Sequence, residues 1–227
     1  MGKHSDSAFA FATAVLMVAA LYLVFVWVPT EATMGIVQRI FYFHLASFGV
    51  AAVGIYVGMA AGIRFLMTRD FRYDEVAVAS IEIALIFDTV NLATGPFWAR
   101  PVWGVWWTWD PRLTSAFVLW LMLVGYLILR SAVDEPGTRG VLSAVLSIFH
   151  AVGTVMVYVS NRLWRTQHPQ PVIGGGSGSG LDASMWVALL GCLAAMLALY
   201  GCLLRLRRRL ERLRRETDGL RRTVHSM

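Results

Sequence analysis

Six stretches of this chain, 8–28, 41–63, 76–95, 113–129, 141–160 and 183–204, are each apolar over about the 17–25 residues that a helix needs to cross roughly 30 Å of hydrocarbon. With 57% of its 227 residues hydrophobic and only 15% charged, the chain has too little polar surface to clothe a soluble globule. The expected fold is therefore all-α, a polytopic membrane protein built as a bundle of six transmembrane helices. The first stretch is longer than the apolar region of a signal peptide, about 7–15 residues, and no small-x-small pattern follows it before Pro29 and Glu31. It is read as a span. The organisation expected is a six-span domain, 1–204, with an external tryptophan-rich loop at 94–112, followed by a basic helical tail, 205–227.

Six spans put both termini on one side, so one charge comparison sets the orientation. The terminal side carries fifteen basic residues: Lys3, Arg64, Arg69, Arg72, Arg130, Arg139 and nine arginines from Arg205 onward. The opposite side carries five, Arg39, Arg100, Arg112, Arg162 and Arg165. The positive-inside rule then places both termini in the cytoplasm, with the tail deciding the balance. The net charge of +6 does not imply nucleic acid, because nine of the twenty basic residues sit in that one tail beside a membrane. Leu206, Leu210, Leu213, Thr217, Leu220 and Val224 recur there at spacings of four and three. The tail is expected to extend the last span as a helix lying on anionic membrane lipid or pairing as a short coiled coil. The only cysteines, Cys192 and Cys202, share the sixth span about 15 Å apart and form no C-x-x-C. Thiol transfer across the membrane is thereby excluded.

Of the three outward segments, 29–40, 94–112 and 161–182, the second is the informative one. It holds Trp98, Trp103, Trp106, Trp107 and Trp109, five of the nine tryptophans in the chain, where an interfacial belt would spread them over several helix ends. Pro96, Pro101, Gly104 and Pro111 favour non-helical backbone there. Indole faces gathered on a short loop form a platform for a large, flat, apolar ligand, and Arg100 and Arg112 add fixed positive charge for carboxylates. Haem is such a ligand, and its iron takes axial histidines. Of five histidines, His4 and His225 lie in the cytoplasmic termini, and His150 lies at membrane depth with Glu82 and Asp88, where buried contacts between helices are expected. His44, near the outer end of span two, and His168, in the third outer loop, share the outer face with the tryptophans.

The run Trp103-Gly104-Val105-Trp106-Trp107-Thr108-Trp109-Asp110, followed by Pro111-Arg112-Leu113-Thr114-Ser115, resembles the WWD signature of haem-handling membrane proteins, and its form WGxWWxWDxRLTS resembles that of the CcmC family. The related CcmF and CcsA-type proteins tend to have an acidic or amide residue soon after the WDP, where this chain has Arg112-Leu113-Thr114-Ser115. The resemblance extends over six spans, the TGPFWARP run and one histidine on each side of the loop. It implies His44, in Phe41-Tyr42-Phe43-His44, and His168 as the axial ligands of haem b. It further implies a ring held by Trp103, Trp106, Trp107 and Trp109 beside Gly104, and Asp110 as an orienter of loop or partner. From charge and position, Arg100 or Arg112 would meet the propionates. The chain departs from the family in having His44-Leu45-Ala46 where His-Val-Pro is frequent, and in a Gly-Ser run, 174–180, after His168.

The resemblance implies a step of c-type cytochrome biogenesis at the bacterial inner membrane. Haem is held at the outer face and passed to a membrane-anchored, CcmE-like haem chaperone, alongside CcmA/CcmB-like ATP-driven transporter subunits and a small CcmD-like membrane subunit. That is transfer of a ligand rather than a classified catalytic reaction. No phosphate loop occurs in the chain, so ATP use lies elsewhere. Two alternatives stand beside it: a CcsA-type lyase acting directly on apocytochrome c, and a haem- or quinone-binding subunit of a respiratory complex. The second fits less well, because electron carriers usually place histidine pairs inside the bundle and this chain has one histidine at depth.

Overall fold

Backbone groups that meet no water must pair within their own segment, and this chain satisfies that requirement with helices. The computed structural model describes residues 3–166, 168 and 181–225. Its helices are α1 (Lys3–Tyr22), α2 (Arg39–Thr68), α3 (Phe71–Trp103), α4 (Pro111–Ala132), α5 (Pro136–Leu163) and α6 (Ala183–His225). A π-helical turn, Leu23–Trp27, ends the first span and a 3₁₀ turn, Ile36–Gln38, opens the second. All six helices are long and apolar enough to cross a membrane, and no strand occurs among the described residues. The chain is a multi-pass membrane protein of the expected all-α class.

Local chemistry sets the helix ends. Asp70 starts α3 by accepting the Arg72 backbone N–H at 2.9 Å. Glu135 starts α5 by accepting from Gly137 and Thr138, with Pro136 in the first turn, where its missing N–H is no loss. Gly104 ends α3 in the left-handed region, φ 79°, and its N–H reaches the Arg100 carbonyl at 3.0 Å. Glycine adopts that backbone without a Cβ penalty.

Small residues let the helices approach closely, as membrane packing favours. A Cβ on Gly58 would lie 2.8 Å from Ile81 Cδ1, and one on Gly62 would lie 2.7 Å from Ser147 Oγ, so α2 is pressed against both α3 and α5. One apolar cluster joins the first turns, α2 and α6 through Val24, Tyr42, Val50, Leu189 and Cys192. A second joins α2 to α5 through Ile55, Ile81, Leu119, Leu123 and Tyr126. Helix α1 packs mainly on α6 and leaves Phe11, Val15 and Val18 on the outside, a surface suited to lipid.

One expectation changes. The outer segment after span three is not an irregular loop from residue 94: α3 continues through Pro96 and Pro101 to Trp103, leaving only 104–110 non-helical. Each proline costs one backbone bond and crowds the carbonyl four residues back, but membrane helices tolerate this where neighbours pack around them. Here Trp98 and Trp103 pack edge to face, centroids 5.1 Å apart, across those turns.

The basic tail has ion-pair partners within the chain itself. It continues α6 without a break and sets Arg207, Arg212 and Arg215 against the acidic end of α3. Arg207 pairs with Glu82, at 2.8 Å for the longer of two bonds, and with Glu211 at 3.0 Å. Arg215 pairs with Glu75. Asp74 takes both arms of Arg130 from α4, at 2.7 and 3.0 Å. Glu82, expected to find a partner inside the bundle, finds it on the tail. The leucines Leu206, Leu210, Leu213 and Leu220 stay exposed.

Candidate functional site

At the other end of the bundle, opposite the ion pairs, the first turns of α2, the last turns of α3, the 104–110 loop, the start of α4, the end of α5 and His168 surround one cavity. Its free space, the open mouth included, is about 1050 Å³. The walls are aromatic and aliphatic: Phe41, Phe48, Leu92, Pro96, Trp98, Trp103, Trp106, Trp107 and Leu113. The polar groups among the lining residues are His44, Asn91, Arg112 and His168.

The geometry brings together His44, His168, Trp103, Trp106, Trp107 and Arg112, all on the cavity wall. His168 packs edge to face on Trp103, centroids 6.0 Å apart. Trp106 is 55% exposed and crosses Phe97 at 6.0 Å, so it stands at the rim. Trp107 lies deeper, in an edge-to-face cluster with Trp109 and Phe117. Trp109, Gly104 and Asp110 do not line the cavity. Trp109 is 72% exposed and supports Trp107 from behind. Gly104 ends α3, and Arg100, bonded through its guanidinium to the Gly104 carbonyl, is turned to that helix end instead of the cavity.

Asp110 opens α4. One carboxylate oxygen accepts the backbone N–H groups of Arg112 and Leu113, both at 3.0 Å, and the other accepts the Thr108 hydroxyl at 3.1 Å. The Asp110 carboxylate acts as a helix cap, and the Arg112 guanidinium donates instead to the Val157 carbonyl at 3.2 Å. Arg112 is thus braced between α4 and α5 with its charge beside the cavity. Replacing Asp110 with Ala is expected to cost about 1 kcal/mol of stability through the lost cap, while Asp110→Asn, also a capping residue, should cost little. Thermal unfolding of the purified variants checks this.

Sequence reasoning missed Asn91 and Thr94. Asn91 Nδ2 donates to the His44 carbonyl at 2.9 Å and lies 3.3 Å from His44 Nε2, while Thr94 Oγ1 lies 3.1 Å from His44 Nδ1. The available signal was spacing, since Asn91, Thr94 and Trp98 recur at three and four along α3 and so share a face. His150 is not part of the site. It is fully buried, donates from Nε2 to the Met122 carbonyl at 3.0 Å and packs against Tyr126.

No cluster of three or more His, Cys, Asp or Glu suited to a bare metal ion occurs among the described residues. Two imidazoles on an aromatic-walled cavity suit an iron that brings its own ring of donors. The indole N–H groups of Trp98 and Trp107, both on lining residues, are buried without partners. A ligand carrying acceptor groups would complete them. The Gly-Ser run after His168 lies outside the described residues.

Fold and site together define a six-span membrane protein with an aromatic, two-histidine cavity at one end. Residues 2–223 match the family model described as Heme exporter protein C, and the chain belongs to that family. It is 32% identical over 154 residues to the Heme exporter protein C of Rhodobacter capsulatus, covering 67% of this chain and 63% of that protein. Over 192 residues it is 32% identical to the Bradyrhizobium diazoefficiens protein of the same name, covering 83% and 72%. A putative cytochrome c biosynthesis ccmC-like mitochondrial protein of Arabidopsis thaliana is 32% identical over 187 residues, covering 81% and 69%. The match to the Rhodobacter relative thus spans less than two thirds of that protein's length.

Proposed function

We propose that the protein holds haem b at the outer face of the bacterial inner membrane during c-type cytochrome biogenesis and hands it to a membrane-anchored haem chaperone. The observation that carries this reading is the shared placement of His44 and His168 on one cavity walled by indoles. When bound, haem would supply a redox-active iron with two open axial positions. His44 and His168 would hold the iron. Trp103, Trp106 and Trp107 bury the ring, and Arg112, held by the Val157 carbonyl, offers its charge to a propionate.

Trp106, exposed at the rim, is where an incoming partner first meets the ligand. ATP-driven transporter subunits and a small membrane subunit complete the set of partners, as the family membership suggests. Both termini face the cytoplasm on this reading, supported by the excess of arginine on the ion-paired side.

The experiment co-expresses the chain with its chaperone and measures covalent haem on the chaperone. The double variant Trp106→Ala with Trp107→Ala should weaken both haem retention and chaperone loading, because two indoles leave the wall together. Undiminished loading would contradict the reading. Orientation has its own check. A cysteine at Val105, in a background lacking Cys192 and Cys202, should react with an impermeant thiol reagent in intact cells. Val105 is 41% exposed in the 104–110 loop, so access is not limited by packing. Labelling only after lysis would place the cavity on the cytoplasmic side and remove the proposed delivery route.

A further inference from the structure

The hydrogen bonds around His44 fix which of its nitrogens is free to bind. Thr94 Oγ1 has one proton, and it is directed at backbone carbonyls of its own helix, Val90 at 2.8 Å and Asn91 at 3.1 Å. Toward His44 Nδ1, 3.1 Å away, Thr94 can therefore only accept, so Nδ1 carries the imidazole proton. On the other side, Asn91 is oriented by its 2.9 Å bond to the His44 carbonyl, which requires the amide nitrogen there. Its second N–H then faces Nε2 at 3.3 Å, and Nε2 is left as the acceptor. The two assignments agree without adjustment: Nδ1 protonated, Nε2 a lone pair.

We infer that Thr94 and Asn91 are positioning residues for the iron ligand, Thr94 fixing the His44 tautomer and Asn91 holding Nε2 while no metal is bound. Asn91 lines the same cavity as His44, so the amide stands where a ligand of that nitrogen would approach. At 3.3 Å the Asn91–Nε2 bond is long and readily given up. For iron to reach Nε2 the amide must swing off that lone pair, giving up its contact there, while Asn91 stays on the neighbouring turn of α3. Binding of iron thus exchanges one N–H bond at Nε2 for a coordinate bond, and release restores it. Thr94 acts throughout by accepting the Nδ1 proton, which makes the opposite nitrogen more electron-rich, as partners of metal-bound histidines do.

This inference rests on His44 being an axial ligand, and its test separates the two. The purified full-length chain and its variants are titrated with haem b, the midpoint potential of the bound iron is measured, and transfer to apomyoglobin is timed. Thr94→Val removes the acceptor at nearly constant volume. It should weaken haem affinity by about 10–100-fold and raise the midpoint potential, and Thr94→Ser should restore both. Asn91→Ala should slow transfer to apomyoglobin by about 2–10-fold, since the freed nitrogen loses its waiting donor. Wild-type affinity and potential in Thr94→Val, no recovery in Thr94→Ser, or an unchanged transfer rate in Asn91→Ala would each overturn the inference. If His44→Ala loses haem while Thr94→Val is silent, the ligand reading survives and this inference alone fails. If His44→Ala keeps an unaltered haem spectrum, both fail.

Discussion

Replacing His44 with Ala is expected to abolish stoichiometric haem binding by the purified protein. The cavity wall is mostly apolar, and its indoles each add only about 0.5–1.5 kcal/mol beyond area burial, spread over four lining tryptophans. An axial bond is a single large contribution with no substitute nearby, because Asn91 and Thr94 are poor iron donors and His150 is buried elsewhere with its Nε2 on the Met122 carbonyl. The loss should exceed the roughly 10–100-fold that removal of an outer hydrogen-bond partner costs a metal site. His168→Ala should likewise change the Soret band, while His150→Ala should leave it largely intact. Loss of haem confined to the His150 variant would reverse the assignment.

The second large effect is expected at the opposite end. The Arg130 and Asp74 side chains are 8% and 11% exposed, bonded through both arms, with Glu211 at 3.9 Å and the Tyr126 ring beneath the guanidinium at 5.8 Å. Removing one member leaves a charge buried without its partner, which typically costs about 3–5 kcal/mol. Arg130→Met should therefore be strongly destabilising. The double variant Arg130→Met with Asp74→Asn, which removes both charges and nearly keeps the volume, should recover most of that loss. Unfolding of the purified protein in detergent tests this, and equal instability of the single and double variants would show that the pair is not the cause. The same end holds the Arg207–Glu82 and Arg215–Glu75 contacts, so weakening it should also loosen the tail from α3.

Much of this was legible in the sequence because a bilayer restricts the options. Six apolar runs of spanning length have few ways to bury their backbone, so helix number and class followed from composition and length alone. Boundaries were harder. Pro96 and Pro101 read as loop residues by local propensity, yet α3 carries them, since packing around Trp98 and Trp103 offsets the lost bonds. The tail read as a lipid-facing or self-pairing helix because its leucines recur at helical spacing. The carboxylates that fix its arginines, Glu75 and Glu82, lie more than a hundred residues away and have no local signature.

At the site, the tryptophan loop and the two histidines stood out by residue type, whereas their supports did not. Asp110 stood out as an orienter of loop or partner, and its carboxylate caps the start of α4 through the Arg112 and Leu113 N–H groups. Asn91 and Thr94 are ordinary polar residues in a helix sequence. Only the antiparallel packing of α2 on α3 brings them to the His44 ring.

The central claim is that one haem sits in this cavity between His44 and His168. It is tested most directly by loading the purified chain with haem b and recording its absorption and electron paramagnetic resonance spectra against a measured haem-to-protein ratio. The account predicts one haem per chain with the low-spin signature of two imidazole ligands. A high-spin spectrum that is unchanged in both His44→Ala and His168→Ala, or no retained haem at all, would contradict it.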